Sequence, residues 1–202
     1  MSAAESRVTS RFNRTMAVVV WAMAGFAVVA AVWSGDPRQA WVLTGAPLAV
    51  LLGWAALWRP YVGVSDDGVR LENVTHRVDV PWAALVHVDT RRALRLHTPS
   101  GAFTAWSAPA PGFIAVLSGG NRRADREQSA ADAPLTHGDR LGTDSGDAAT
   151  VIREMWRSRL DAGQVAVGVA DQTPVRRHWH VVLIALGLAL AVATVALMYA
   201  TV

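Results

Sequence analysis

Three long stretches of the chain are almost entirely apolar and contain no charged side chain; they cover residues 16–33, 40–58 and 179–201. At a rise of about 1.5 Å per residue, helices of these lengths cross a hydrocarbon core about 30 Å thick. A chain of 202 residues could not bury three such helices in one core. The pattern therefore predicts three transmembrane helices, a hairpin within residues 16–58 (16–33, 40–58) and a third span within 179–202.

The ends of these spans carry tryptophan and arginine. Trp33, Trp41, Trp58 and Trp179 lie where amphipathic rings prefer the headgroup region of a bilayer. Arginines cluster before the first span, after the second and before the third; they are Arg7, Arg11, Arg14, Arg59, Arg176 and Arg177. By the positive-inside rule, residues 1–15 and 59–178 are predicted to be cytoplasmic and the C-terminus outside the plasma membrane. A cleaved signal peptide is the alternative interpretation of the first apolar stretch.

Small residues recur every four positions in the second span, at Gly45, Ala49 and Gly53. This spacing places them on one helix face, where a neighbouring helix can approach closely. Packing against helices of the same chain and dimerisation both fit the pattern. An oligomer is therefore possible but not predicted.

Residues 59–118 have the alternating pattern of short strands, which we expect at 61–64, 69–73, 77–80, 85–90, 93–97, 101–106 and 113–117. Asp67-Gly68 between two of them indicates a hairpin turn.

Residues 119–147 are polar and contain few large apolar side chains, so we expect a flexible insertion. The spacing of apolar residues over 148–162 predicts an amphipathic helix, for which Asp144, Ser145 or Asp147 is the candidate cap. A linker, 163–178, with a possible strand at 165–169, leads to the last span.

The predicted order is a series of antiparallel strands followed by one helix. Together with the segments Val64–Val69 and Arg77–Trp82 and the 94–106 hairpin, this order resembles the bacterial pleckstrin-homology (PH)-like domains. The group it resembles is the low-molecular-weight protein antigen 6 type, small membrane-anchored proteins of actinobacteria. The resemblance implies a PH-like antiparallel β-barrel or sandwich with a C-terminal helix, over 59–118 and 148–162. It implies no catalytic residue.

Two binding modes follow from this resemblance. Phosphoinositide-binding members carry basic side chains around the first hairpin turn, where this chain has Asp66 and Asp67. Arg91, Arg92 and Arg95 near another turn are instead candidates for contact with anionic membrane lipids. The main prediction is a membrane-tethered scaffold that binds a protein partner at the cytoplasmic face, for which an exposed edge strand is an available template.

Composition narrows the chemistry further. The 35 charged residues are 17% of the chain, but all lie in the 142 residues outside the apolar stretches. There they amount to about 25%, as in a soluble domain. All 19 basic residues are Arg, a bias typical of a GC-rich bacterial genome, and the net charge of +3 does not indicate nucleic-acid binding. The chain has no cysteine, which excludes disulfides and thiol catalysis.

The candidate reactive motifs are weak. Asp144-Ser145-Gly146 matches the core triplet of retroviral-type aspartic proteases but lacks the preceding hydrophobic strand, so helix capping explains it better. The six histidines have no spacing that supplies a set of metal ligands. We therefore predict no enzyme activity, cofactor or metal; an enzyme accessory or hydrolase using the 119–147 loop is the remaining alternative.

Overall fold

The computed structural model describes residues 6–8, 11–90, 93–109 and 144–201. The chain divides into two compact units. The helical unit contains residues 11–60, 74–76 and 179–202, and the β unit contains residues 1–10, 61–73 and 77–178. The predicted strand at 113–117 and most of the predicted flexible insertion lie outside the described residues.

Four α-helices occur in the described part of the chain: α1 (Arg11–Ser34), α2 (Val42–Gly53), α3 (Asp144–Asp161) and α4 (Val181–Ala200). All but α3 belong to the helical unit. By length and composition, three helical segments could cross a membrane, namely Phe12–Ser34, Pro37–Trp58 and Val181–Ala200. Phe26 and Val182 are 76% and 83% exposed, a surface that suits lipid better than water.

Small side chains bring α1 and α2 together. Ala24 and Ala31 of α1 form a buried cluster with Val42 and Ala46 of α2. Because these side chains are short, the two backbones can approach closely enough for dispersion contacts along the helices. The indole N–H of Trp21 also donates to the carbonyl of Val50 at 3.2 Å.

The predicted packing residues of α2 contact helices of the same chain. A Cβ atom at Gly53 would lie 3.2 Å from Nε1 of Trp21 in α1. One at Gly45 would lie 3.4 Å from Cγ2 of Thr194 in α4. Ala49 packs against the small-residue cluster between α1 and α2. These contacts account for the small residues of α2 within a single chain.

A π-helical turn, Trp54–Trp58, extends α2. Its backbone signature is the hydrogen bond from the N–H of Arg59 to the carbonyl of Trp54, five residues back, at 2.9 Å. The second apolar segment is thus α-helical and then π-helical up to Trp58, rather than one uniform α-helix.

The first sheet has five strands in the order β1-β2-β3-β4-β8, and β1 to β4 pair antiparallel. Its strands are β1 (Ser6–Val8), β2 (Tyr61–Val64), β3 (Gly68–Glu72), β4 (His76–Pro81) and β8 (Arg176–Trp179). Alternating residues point to the core, as the period of two requires, and Val62, Leu71 and Val78 are fully buried at neighbouring register positions.

Glycine is required where β3 begins. Gly68 lies opposite Pro81, and a Cβ atom at this position would come within 2.2 Å of the carbonyl oxygen of Val80. The preceding turn is closed by a hydrogen bond from the N–H of Ser65 to the carbonyl of Gly68 at 3.0 Å. The predicted Asp-Gly hairpin is present, and its glycine allows the strands to approach closely.

The second sheet has three antiparallel strands, β5 (His87–Asp89), β6 (Ala93–Thr98) and β7 (Gly101–Pro109). The predicted barrel is wrong, because in the described residues the two sheets do not join into a closed ladder. Pro81 is the last residue of β4, and a 3₁₀ turn, Trp82–Ala84, carries the chain into the second sheet. The sandwich alternative describes the fold.

Helix α3 completes the core of the β unit. Ala148, Ala149 and Ile152 on one face of α3 are fully buried in the same cluster as the inward side chains of both sheets. Leu94 and Leu96 of β6 are fully buried there as well. The burial of this stripe is what fixes an otherwise polar helix to the sheets.

Three local expectations differ from the structure. Residues 6–8 form strand β1 in a segment predicted only as a cytoplasmic terminus. Residues 176–179 form strand β8, which covers the end of the predicted linker and the first residue of the predicted third span, so the last helix begins only at Val181. No strand forms at 165–169, where Gly168 adopts a φ of 82° and a 3₁₀ turn follows at Ala170–Gln172.

Candidate interaction face

The outer face of the second sheet carries an exposed tryptophan among polar side chains. Across β5 and β6, His87 pairs with His97, and Asp89 pairs with Arg95. On β7, Thr104 lies opposite Arg95, and Trp106 follows two residues later on the same face. We define this surface as the Trp106 face; its residues are His87, Asp89, Arg95, His97, Thr104 and Trp106.

The Trp106 face carries a large exposed apolar side chain. Trp106 is 55% exposed, and Val86, directly before β5, is 53% exposed. An exposed tryptophan on a folded sheet is more informative than an exposed small side chain, because it leaves a large apolar area in water. The rest of the face is polar: the ring centres of His87 and His97 are 5.7 Å apart, and Asp89 lies opposite Arg95. A tryptophan beside an arginine and polar side chains is typical of protein interfaces.

Asn73 holds the strand that carries Trp106. Its side-chain amide donates to the carbonyl of Thr104 at 3.0 Å, and its side-chain oxygen accepts from the N–H of Trp106 at 2.8 Å. Asn73 follows β3, so one buried side chain links the two sheets. The backbone of Trp106 is therefore fixed in place.

The same contacts occupy the edges of the second sheet. On β7, the side chain of Asn73 is hydrogen-bonded to the outward carbonyl of Thr104 and to the outward N–H of Trp106. On β5, the guanidinium of Arg153 from α3 donates to the carbonyl of Val88 at 3.0 Å. Peptide addition at these edge positions would have to displace the side chains of Asn73 and Arg153.

The first hairpin turn is acidic and is tied to α3. Arg159 forms an ion pair with Asp66, and its guanidinium lies 5.9 Å from the ring centre of Trp82. The indole of Trp82 donates to the carbonyl of Ser65 in the same turn at 3.1 Å. The guanidinium of Arg159 beside this turn is thus already engaged by a carboxylate, and Asp67 adds a second negative charge. The turn is a poor receptor for phosphate groups.

The predicted lipid-contact arginines are only partly described. Arg95 is exposed on the Trp106 face, where its register partner on β5 is the carboxylate residue Asp89. Arg91 and Arg92 lie outside the described residues. The described residues therefore do not show these three arginines as one basic patch.

The predicted caps lie in the first turn of α3. The helix begins at Asp144, so Asp144, Ser145 and Asp147 all fall within it. The side chains of Asp144 and Ser145 lie outside the described part of the structure. The hydroxyl of Thr150 donates to the carbonyl of Gly146 at 2.9 Å in the next turn.

Metal chemistry has no candidate site in the described residues. No group of three or more His, Cys, Asp or Glu side chains there could hold an ion. The pair formed by His87 and His97 was foreseeable from their positions on neighbouring predicted strands.

Asn73 and Arg153 support this face, and the sequence pattern alone does not single out either residue. The signal available for Asn73 was its position directly after a strand, where an amide side chain often satisfies backbone groups.

The family comparison agrees with this architecture. The model of the Bacterial PH domain family matches residues 59–171, more than half of the chain. Searches of curated proteins and of solved structures found no match. The matched range contains both β2–β4 and β5–β7 together with α3, the arrangement implied by the resemblance of the sequence. The chain belongs to the family of bacterial PH domains.

Proposed function

We propose that this protein is an integral membrane protein that displays its PH domain at the cytoplasmic face as a protein-interaction module, with the Trp106 face as the contact surface. The observation that carries this proposal is the exposure of Trp106 on a strand whose backbone Asn73 holds in place.

Membrane insertion is supported by the three apolar helical segments and by the exposed apolar side chains along them. The cytoplasmic placement of the PH domain is supported by the positive-inside rule. Arginines are concentrated before α1, after α2 and before α4, whereas the connection between α1 and α2 has one Arg and one Asp.

Protein binding is favoured over inositol-phosphate binding by the charges of the first hairpin turn. A phosphate approaching this turn would meet Asp66 and Asp67, and Arg159 could reach it only by giving up its ion pair with Asp66. No comparable electrostatic obstacle opposes a protein at the Trp106 face. PH domains are in general non-enzymatic modules, which agrees with a binding role.

Trp106 has the properties of an interface anchor. Tryptophan is enriched among residues whose truncation weakens an interface by 2 kcal/mol or more. Because its strand is already ordered, little conformational entropy remains to be lost on binding.

Site-specific photocrosslinking in native membranes tests the proposal. A photoreactive phenylalanine analogue is placed at position 106 in the full chain and, as a matched control, at Val167, which is 82% exposed elsewhere on the β unit. We expect a discrete protein adduct from position 106 that is absent at position 167. Equal adducts from both positions, or none from 106 at normal expression, would contradict the proposal.

Alanine substitutions test whether the crosslink depends on the side chain of Trp106 or only on an intact fold. Trp106→Ala should abolish the crosslink from a reporter at Thr104, while Val167→Ala leaves it intact. Loss of the crosslink in both variants would show that the adduct does not depend on Trp106.

A further inference from the structure

One end of the helical unit gathers residues from all three of its helices. α1 and α2 are joined by a short connection and pack side by side, so the start of α1 and the end of α2 lie at the same end. A guanidinium nitrogen of Arg59, directly after α2, lies 3.1 Å from Nε2 of His180, directly before α4. α4 therefore begins at this end as well.

Arginine and tryptophan side chains meet there. The guanidinium carbon of Arg14 lies 5.2 Å from the ring centre of Trp58, and that of Arg59 lies 5.5 Å from the ring centre of Trp54. Trp58 in turn packs against Trp21, with ring centres 5.3 Å apart. We name this set the Arg–Trp end; its members are Arg14, Trp54, Trp58, Arg59, Trp179 and His180.

The charge of the helical unit is divided between its ends. Among its described residues the one carboxylate side chain is Asp36, which lies in the connection between α1 and α2 at the opposite end. Its Oδ1 accepts the N–H of Arg38 at 2.9 Å. The Arg–Trp end, in contrast, carries two arginines and a histidine.

The ring of Trp58 attracts Arg14 without neutralising it. A guanidinium over an indole is attracted by the negative face of the ring, and this contact leaves the charge and the N–H donors in place. Arg14 is exposed, so its donors face the surroundings of the bundle. Tryptophans at this level match the headgroup region of a bilayer.

We propose that the Arg–Trp end binds the phosphate groups of anionic phospholipids. This inference rests on the proposed membrane insertion. The guanidinium groups of Arg14 and Arg59 pair with phosphate oxygens, while the tryptophan rings lie beside the glycerol and upper acyl region. The ligand is a membrane lipid rather than free phosphate, because the site lies at the end of three apolar helices.

Lipid retention measured by native mass spectrometry on the full chain in detergent tests this binding, with phosphatidylglycerol and phosphatidylcholine as the probes. We expect the wild type to retain phosphatidylglycerol preferentially. Each arginine near an anionic surface strengthens lipid binding about fivefold. Arg14→Gln should therefore weaken the retention of phosphatidylglycerol about fivefold, and the double variant Arg14→Gln, Arg59→Gln should weaken it about 25-fold.

Matched variants show whether the charge of Arg14 causes the lipid retention. Arg38→Gln removes an arginine from the opposite end and should leave retention unchanged, and Arg14→Lys, which keeps the charge, should weaken it less than Arg14→Gln. Because Arg14 is exposed, its single variant is expected to fold even if the Arg59 variant does not. Equal retention of both lipids by the wild type, an unchanged Arg14→Gln variant, or displacement of the lipid by millimolar inorganic phosphate would overturn the proposal.

Membrane insertion is checked separately by alkaline carbonate extraction. A protein released by carbonate refutes the spans and the lipid site together. A protein that stays in the membrane but shows no lipid preference refutes the lipid site alone.

Discussion

Gly68 and Gly101 both have positive φ angles, 159° and 139°, but their surroundings differ. A Cβ atom at Gly101 would meet nothing within 4 Å, whereas one at Gly68 would overlap the carbonyl oxygen of Val80. We therefore expect Gly101→Ala to lose about 1 kcal/mol through backbone strain and Gly68→Ala about 3 kcal/mol or more, because β3 and β4 must separate. Thermal unfolding of the full chain in detergent measures the difference; equal losses would contradict the steric explanation.

Asn73 offers a second prediction at the residue scale. Asn73→Ala removes hydrogen bonds of 3.0 and 2.8 Å and leaves the carbonyl of Thr104 and the N–H of Trp106 unsatisfied by this residue. We expect a loss of about 2–3 kcal/mol, since the site is buried. As a control, Ser100→Ala removes an exposed hydroxyl 3.0 Å from Thr98 and should lose less than about 0.5 kcal/mol. A similar loss in both variants would show that Asn73 does not link the sheets.

The sequence indicates local residue roles better than distant ones. The turn glycine at position 68 is predictable because its neighbours in the chain define the hairpin. The partner of Asn73 lies 31 residues away and that of Arg153 lies 65 residues away. Such contacts depend on how the sheets pack, which no local pattern encodes.

At the scale of elements, the attachment of α3 to the first hairpin turn is testable. Asp66 is largely exposed, so its ion pair with Arg159 should contribute no more than about 1 kcal/mol. Arg159→Gln is expected to lose somewhat more than this pair energy, because its guanidinium also packs near Trp82.

A double-mutant cycle of Asp66→Asn and Arg159→Gln isolates the pair. We expect a coupling of about 0.5–1 kcal/mol that shrinks at high salt. A cycle of Asp66→Asn with Arg157→Gln, an exposed arginine of the same helix, should show none. Equal coupling in both cycles would indicate a general charge effect.

The elements missed by pattern reasoning share a physical reason. All four residues of β8 are exposed, so the strand has no alternation of buried and exposed side chains. Pairing with β4 rather than side-chain burial defines it. The apolar valines of 165–169 suggested a strand, but Gly168 turns the backbone there. Hairpins such as β6–β7 were predictable because alternation and turn residues coincide.

At the scale of the whole molecule, membrane topology can be tested with unusual simplicity because the chain has no cysteine. Ser34→Cys and Ser158→Cys are conservative changes at exposed positions, one at the end of α1 and one on α3. We expect a membrane-impermeant maleimide to label Ser34→Cys on intact cells and Ser158→Cys only after lysis. The reverse pattern would invert the proposed topology.

The global architecture was predictable in part. Apolar length indicates the helices, and strand alternation followed by an amphipathic helix indicates the PH domain. Whether the sheets close into a barrel depends on pairing between the edge strands of the two sheets, which lie far apart in sequence. A pattern of strands does not specify that closure.

The π-helical turn at the end of α2 is equivalent to an α-helical path with one residue inserted. Deleting Ala56 would allow these residues to wind as an ordinary α-helix. The wider π turn accommodates the extra residue, so its removal would leave the residues after it close to their present phase about the helix axis. Arg59 would then follow Trp54 by four residues, the ordinary α-helical spacing of side chains on one face. The π-helical turn therefore holds one more residue between Trp54 and Arg59 while keeping the guanidinium beside the indole ring.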